Sequence, residues 1–386
     1  MYEVVFVLKA SKFCNLRCGY CYEHRELHVR ENISAATLER LFCDIDRFGD
    51  HLCGLGVSPQ FSFVWHGGEP LLLSPGAYAA IVTQQQAHIR KYPFRNSVQT
   101  NLYGNVKAAL AFVTGRQWAL GVSIDFADGI RTNAAGRESN ASVIAAAEDL
   151  QRSGVGFGVI SVLGSHNRDA LPQAYDWVSR HAASWRILPV FDGGPEQNIA
   201  ALRLPDEEVE RVFVEIFETR ATAPRHIPVA PLDGYLKSAA LKIAGVRANA
   251  ELERDILDNV FLLNVNGDVF TRPFAYDPAF CMGNINTASM TEMIEGEAYR
   301  TCQRVMRRRK AANCVACGFK GYCDLSPIHE NGSLSRDGEA ERCVFPRRTM
   351  QEIENELFAA GVDGSTIGGW ARDWLSAPGV ARLPPG

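Results

Sequence analysis

The stretch Lys12-Phe13-Cys14-Asn15-Leu16-Arg17-Cys18-Gly19-Tyr20-Cys21-Tyr22 sets three cysteines at a C-x3-C-x2-C spacing just behind the apolar run Val4-Val5-Phe6-Val7-Leu8. That run reads as a buried strand, so the cysteines lie on the loop leaving a strand end. Three thiolates on one short loop can hold three irons of a [4Fe–4S] cube and leave the fourth iron without a protein ligand. Structural iron–sulfur sites close with four cysteines, so an open iron points to a place for a substrate or cofactor. The competing reading is a zinc site or cysteines in a core. Zinc sites favour paired cysteines that complete a tetrahedron, and Glu23, His24 and His28 are the nearby candidates for a fourth ligand.

At 386 residues the chain exceeds one ordinary core and fits a large domain plus a smaller one. A net charge of −4 speaks against a nucleic-acid binder. The N-terminus has no basic region ahead of an apolar signal core, and no apolar run is long enough to span a bilayer, so a cytoplasmic location is expected. Most of the eleven cysteines fall in two groups at metal-type spacings, which fits a reducing compartment.

Downstream, Ser34 is a plausible N-cap, and Leu38, Leu41, Phe42, Ile45 and Phe48 share one helical face that should end near Gly49. Cys43 and Cys53, in and just after this helix, read as small core hydrophobes or inert thiols. A second strand, 61–65, runs into His66-Gly67-Gly68-Glu69-Pro70. Glycines there let the backbone approach a ligand closely and the carboxylate can accept from an ammonium, although alone the four residues from Gly67 to Pro70 are usually just a turn. A helix over about 75–92, strand 95–99 ending at Thr100-Asn101, a helix to Arg116 and strand 119–125 follow. Ser123 and Asp125 close that fourth strand, the edge where parallel α/β folds gather function, although Asp is also at home in a plain strand-end turn. A polar loop, 128–140, leads to a helix from near Ser139. Strand 156–162, helix 168–181 and strand 185–190 complete six strand–helix alternations, which argue for a parallel sheet.

The cysteine spacing with Tyr20 before its third cysteine, and the Gly67-Gly68-Glu69-Pro70 segment one strand–helix unit later, resemble the signature of radical S-adenosylmethionine (SAM) enzymes. The resemblance implies an open, partial (β/α)6 barrel and a [4Fe–4S] cluster on Cys14, Cys18 and Cys21 that chelates SAM. Reductive cleavage then yields methionine and a 5′-deoxyadenosyl radical, with the cofactor supplying the chemistry and the protein its aim. It further implies cofactor contacts from Tyr20, from Gly67, Gly68, Glu69 and Pro70 (the SAM amino group), from Asn101, from Ser123 and Asp125 (ribose and carboxylate), from Arg137 in the polar loop, and from Leu188 (adenine).

From about Gly193 the pattern changes. Helical stretches at 206–220 and 231–245 flank the proline-rich 221–231, and 261–270 reads as a β-hairpin on its Asn266-Gly267 turn. Cys314, Cys317 and Cys323 give C-x2-C-x5-C, with Cys343 20 residues further on. By spacing alone these four could close an iron–sulfur cluster or a zinc ribbon equally well. Behind a hairpin and a radical SAM segment they resemble the SPASM extension, an α+β iron–sulfur domain, and match the ligands of its outer auxiliary cluster. The family pattern commonly has seven cysteines for two clusters. Here Pro327 stands in place of one, another is replaced within Thr271-Arg272-Pro273, and Ala288 replaces a third. Cys281 and Cys302 are too few to close an inner cluster, so one auxiliary [4Fe–4S] cluster is expected. Arg304, Arg307, Arg308, Arg309 and Lys310 form a basic helical stretch, read as a solvated face or a docking face for an acidic leader peptide or electron donor.

The expected organisation is a barrel over 1–220, a helical linker over 221–252, a SPASM-type domain over 253–350 and a helical tail over 351–386. Radical SAM/SPASM proteins are mostly peptide or protein maturases, and this chain looks most like those that cross-link side chains of a ribosomally synthesised precursor peptide, for example as a cyclophane. An electron donor such as a flavodoxin or ferredoxin is implied. A proton acceptor is also needed, with Asp125, Glu69 and His66 in suitable segments. Since the chain opens on its first barrel strand, no separate leader-binding domain is expected ahead of it. The rival readings are an anaerobic sulfatase-type maturase forming formylglycine, which would carry the full cysteine set, and a non-catalytic metal-binding or electron-transfer module.

Overall fold

The apolar run at the N-terminus becomes β1 (Tyr2–Ser11), buried along almost all its length because it lies between two parallel neighbours. In the computed structural model, which describes residues 2–104, 106–190, 199–247, 259–271, 276–323 and 343–376, these neighbours are β3 (Pro59–Gly67) and β10 (Val260–Leu263). The chain divides into two units built from interleaved segments. The first comprises Met1–Ser123, Gly129–Phe157 and Asp258–Val305, and the second Ile124–Asp128, Gly158–Leu257 and Met306–Gly386.

In the first unit β10, β1, β3, β4 (Phe94–Thr100) and β5 (Ala119–Ser123) run parallel, and β11 (Asp268–Thr271) and β12 (Gly283–Asn284) extend the β10 edge antiparallel. The Asn266-Gly267 hairpin forms as expected, with Gly267 at φ +94°, and its first strand joins the sheet beside β1. The reason lies in the core. The Phe6 ring packs 5.7–6.4 Å from those of Phe48, Phe61, Phe63 and Phe261, so residues over 250 positions apart close one aromatic cluster. Helix α1 (Ala35–Gly54) starts at Ser34, whose hydroxyl accepts from the Thr37 amide at 3.0 Å. It does not stop at Gly49. That glycine instead lets the Tyr92 ring lie against the helix, where a Cβ would come within 2.3 Å of it, and Leu52 continues the buried face. Helix α2 (Pro75–His88) ends before Tyr92, since the amides of Arg90 and Lys91 turn to the Asp46 carboxylate. The core reading of Cys43 and Cys53 is corrected: both are exposed, Cys43 Sγ 3.2 Å from His88 Nδ1 and Cys53 Sγ 3.4 Å from the Tyr92 hydroxyl.

In the second unit β7 (Gly158–Leu163), β8 (Ser184–Pro189) and β9 (Val229–Ala230) are parallel. Helix α5 (Ala170–His181) packs on α6 (Asp206–Thr222), helix Phe345–Ala359 packs on α6 and α7 (Leu232–Ile243), and helix Gly364–Ser376 packs on α7. Phe213 stacks on Phe345 at 6.1 Å, and Lys242 reaches Glu354 at 2.6 Å. All six strand–helix alternations are present once α3 (Lys107–Thr114) and α4 (Asn140–Arg152) are counted, and the sheet does not close into a barrel. In helix α9 (Glu297–Cys314) the basic stretch exposes Arg304, Arg307 and Arg308 but buries Arg309. Arg304 is held by Glu297 and Thr301. Among the described residues, no helix is long and apolar enough to cross a membrane. Arg272, Pro273 and Pro327 lie outside them.

Candidate iron–sulfur and cofactor site

A short ribbon that the sequence did not announce shapes the cysteine loop. β2 (Leu16–Cys18) pairs antiparallel with β6 (Arg131–Asn133), setting Cys18 opposite Arg131. The polar loop over 128–140 thus folds back on the cysteines. Within the loop, Arg17 Nη1 donates to the Cys14 and Leu16 carbonyls at 2.7 Å each, and the Cys14 amide donates to the Leu27 carbonyl at 3.0 Å. Cys18 and Cys21 pack against buried Cys14, Leu16 and Leu27. Cys14 Sγ accepts from the Leu16 amide at 3.4 Å and from Asn101 Nδ2 at 3.5 Å.

Gly67 and Gly68 bring the end of β3 close against the backbone of the cysteine loop. A Cβ on Gly68 would sit 2.2 Å from the Phe13 carbonyl oxygen, and one on Gly67, at φ +110°, 2.5 Å from that of Ser11. The Gly68 and Glu69 amides donate to the Ser11 and Phe13 carbonyls at 2.8 and 2.9 Å, so the end of β3 clamps the start of the cysteine loop. Glu69 is fully buried. Its Oε1 accepts from the Leu71 amide and Thr100 hydroxyl, both at 2.8 Å, and its Oε2 from the Asn101 amide at 2.7 Å. Burial lifts its carboxyl to about 7, against these bonds and the Arg131 charge, which pull it down. Pro70 is buried, its carbonyl accepting from the Tyr78 hydroxyl at 2.9 Å.

Asn101 joins these parts. Its amide is on Glu69, its Nδ2 on Cys14 Sγ and, at 2.8 Å, on Asn15 Oδ1, and its Oδ1 receives the Tyr103 amide at 2.8 Å. Arg137 has an exposed side chain, whereas Arg131, only 5% exposed, donates to the Tyr20 hydroxyl at 2.7 Å and lies close enough to Cys14 and Glu69 to act on both. The sequence reading named Arg137 of this loop and did not single out Arg131, the arginine that is buried. The Arg131-x-Asn133 alternation opposite Leu16–Cys18 was the available signal. Ser123 accepts from Gln99 Nε2 at 2.8 Å. Asp125 is buried, its Oδ1 accepting the Val162 amide at 2.7 Å and its carbonyl Asn167 Nδ2 at 3.0 Å, while Leu188 lies half-buried in β8 beside Val162. Among the described residues His66 Nδ1 is buried without a hydrogen-bond partner, and burial, helped by the Lys9 charge, holds the imidazole down at about 4.

In the second group Cys314 ends α9, and the Cys317 amide donates to its carbonyl at 3.3 Å. The Cys343 amide returns to Asn313 Oδ1 at 2.8 Å, near enough for Cys314 and Cys317 to raise the Cys343 thiol, which burial above all pushes up to about 12. The Cys323 amide closes a turn on the Phe319 carbonyl at 3.0 Å. Cys281 and Cys302 belong to the hairpin's surroundings, their sulfurs near the Gly283 and Phe280 carbonyls.

The chemistry of the first loop's donors suits an iron–sulfur cluster, although among the described residues no three such side chains already converge closely enough to hold a metal ion. The loop's ligands are soft thiols, and hydrogen bonds to such sulfurs tune a cluster. Burial pushes Cys14 and Cys21 each up to about 12, so iron must displace their protons on binding.

Residues 8–178 match the model of the radical SAM superfamily and residues 256–318 that of an iron–sulfur cluster-binding domain, SPASM. The chain is 24% identical over 372 residues to the serine-type anaerobic sulfatase-maturating enzyme of Bacteroides thetaiotaomicron, covering 87% of this chain and 84% of that one. Its fold is similar to that of native anSMEcpe with bound AdoMet and Kp18Cys peptide, with a TM-score of 0.72 at 18% identity over 97% of this chain and 100% of that one. It is also similar to Streptococcus suis SuiB bound to precursor peptide SuiA, with a TM-score of 0.57 at 15% identity over 88% and 76%.

Proposed function

We propose that this chain, which belongs to the radical SAM superfamily and carries a SPASM extension, is a maturase that oxidises a precursor peptide by joining two of its side chains. The observation that best supports a radical SAM site is the hydrogen-bonded run from Glu69 through Asn101 to Cys14. It ties the expected SAM-binding carboxylate to the first cluster ligand. Cys14, Cys18 and Cys21 would hold three irons. Cluster and SAM, when bound, supply a 5′-deoxyadenosyl radical able to take a hydrogen atom from a substrate carbon.

Among the described residues Glu69 Oε2 accepts from a single hydrogen-bond donor, so it keeps acceptor capacity for the SAM ammonium. Arg131 and Tyr20 brace the loop from the ribbon side. Ser123, Asp125, Arg137 and Leu188 carry their cofactor roles on resemblance. Of the three candidates for proton acceptor, Asp125 and Glu69 already accept backbone amides, whereas His66 Nδ1 has no partner among the described residues and stays uncharged above about pH 4. An imidazole held near 4 takes a proton poorly at neutral pH, so none of the three is assigned as the acceptor. Cys314, Cys317, Cys323 and Cys343 would hold one auxiliary cluster, whose chemistry is electron transfer, and a flavodoxin or ferredoxin is the kind of external donor required.

A second reading, formylglycine formation, is favoured by the relative's name. The incomplete SPASM cysteine set weighs against it. Both readings remove electrons from a peptide side chain, so the product separates them. A candidate precursor peptide, incubated anaerobically with reconstituted chain, SAM and reductant, should lose two hydrogens without gaining an aldehyde. An aldehyde-reactive product would favour formylglycine, and an unchanged peptide with 5′-deoxyadenosine formed would discard oxidation of that peptide.

A further inference from the structure

Lys9 is only 2% exposed, and a buried ammonium requires pairing. Its Nζ pairs with the Glu23 carboxylate, lies 3.3 Å from Glu26 Oε2 and stands 4.6 Å over the Tyr276 ring. Tyr276 stacks on Tyr22 at 5.8 Å and meets Phe270 edge-on at 5.7 Å. Glu23 and Tyr276 both face the Lys9 ammonium, which makes the two groups neighbours. Two atoms of this cluster, Glu23 Oε1 and the Tyr276 hydroxyl, are buried without a hydrogen-bond partner among the described residues. Native interiors leave few such atoms. The ion pair with Lys9 needs only Oε2, and the ring stack would be complete with phenylalanine at 276. Packing therefore accounts for neither atom.

We propose that Glu23 Oε1 and the Tyr276 hydroxyl form a subsite, beside the Cys14–Cys18–Cys21 loop, that holds one amide group of the peptide substrate. An amide brings an N–H for the carboxylate oxygen and a carbonyl for the phenol. A cation would meet Lys9, an anion would meet Glu23 and Glu26, and an apolar group would leave both atoms unmet. Lys9 is the positioning residue, since holding Oε2 directs Oε1 outward from the ion pair. The subsite rests on the peptide reading above.

The test uses the full reconstituted chain and the same candidate precursor peptide, labelled, in the presence of SAM. Tyr276→Phe removes the hydroxyl and keeps the stack. Without peptide, this variant should unfold at the wild-type temperature or a few degrees higher, because a buried unmet hydroxyl is lost. By fluorescence anisotropy it should bind the peptide about tenfold more weakly. A lower unfolding temperature would show the hydroxyl already bonded in the free protein and overturn the subsite. Unchanged peptide affinity, with wild type binding, would overturn it too and leave the maturase reading standing. A wild-type chain that binds no peptide would remove both.

Discussion

Cys14 and Cys314 each open a cysteine group, yet the protein around them is organised differently. The first group is gripped from several directions: by the end of β3 through Gly68 and Glu69, by the end of β4 through Asn101, and by the ribbon that sets Arg131 against Cys18. In the second, the bonds among described residues are mostly local, a helix end followed by turns, with Cys343 tied back through Asn313. Metal binding couples to folding most strongly where ligands are not pre-arranged. Among the described residues, the first loop is thus shaped largely by the sheet, while the second group is held mainly by its own helix end and turns.

The largest effect that tests this contrast is at the first group. Cys18→Ala should abolish SAM cleavage, scored as 5′-deoxyadenosine formed, because the cube loses one of only three ligands. Cleavage persisting in that variant would break the assignment. Gly68→Ala should come next. Its Cβ would meet the Phe13 backbone at 2.2 Å, and the forced shift should cost about 3 kcal/mol in denaturant unfolding, with SAM binding weakened alongside. A variant as stable as wild type would mean that the β3 clamp is looser than its geometry.

Cys317→Ala should spare part of the SAM cleavage while product formation or solubility falls, and wild-type turnover would make the second group dispensable. Removing iron with a chelator sharpens the comparison directly: amide exchange should rise at 314–323 well before it rises at 12–18. Equal loss at both would erase the distinction. The smallest effect is on acid stability. His66 keeps its folded pKa near 4, below its ordinary 6.5. Between those values the unfolded chain binds a proton that the folded chain does not, so stability falls as pH drops from 6.5 to 4 and levels off below. His66→Gln should remove on the order of 3 kcal/mol of that fall, measured by urea unfolding at pH 7 and pH 4.

Much of the molecule could be read from local pattern. Ser34 marked a helix start, Asn266-Gly267 a hairpin, and the alternation of strands and helices a parallel sheet. Those signals act over a few residues, through capping, turn conformation and periodicity. The length of α1 was misjudged because Gly49, a stop signal locally, serves a ring that arrives from residue 92. Glycines 67 and 68 were singled out for close approach, and the backbone at Ser11 and Phe13 is what the structure brings against them.

The sequence alone determined the three cysteines on a strand-end loop, the Glu69 segment one unit later, the four-cysteine set near the C-terminus and the open α/β class, because spacing along the chain is itself the chemical constraint there. Only the tertiary structure decided that the hairpin at 260–271 pairs beside β1, that Arg131 and not Arg137 turns inward, that Asn101 links Glu69 to Cys14, and that Lys9, Glu23 and Tyr276 meet. Each of these depends on burial and on contacts between residues tens to hundreds of positions apart, and such contacts exist only once the aromatic core around Phe6 has brought those segments together.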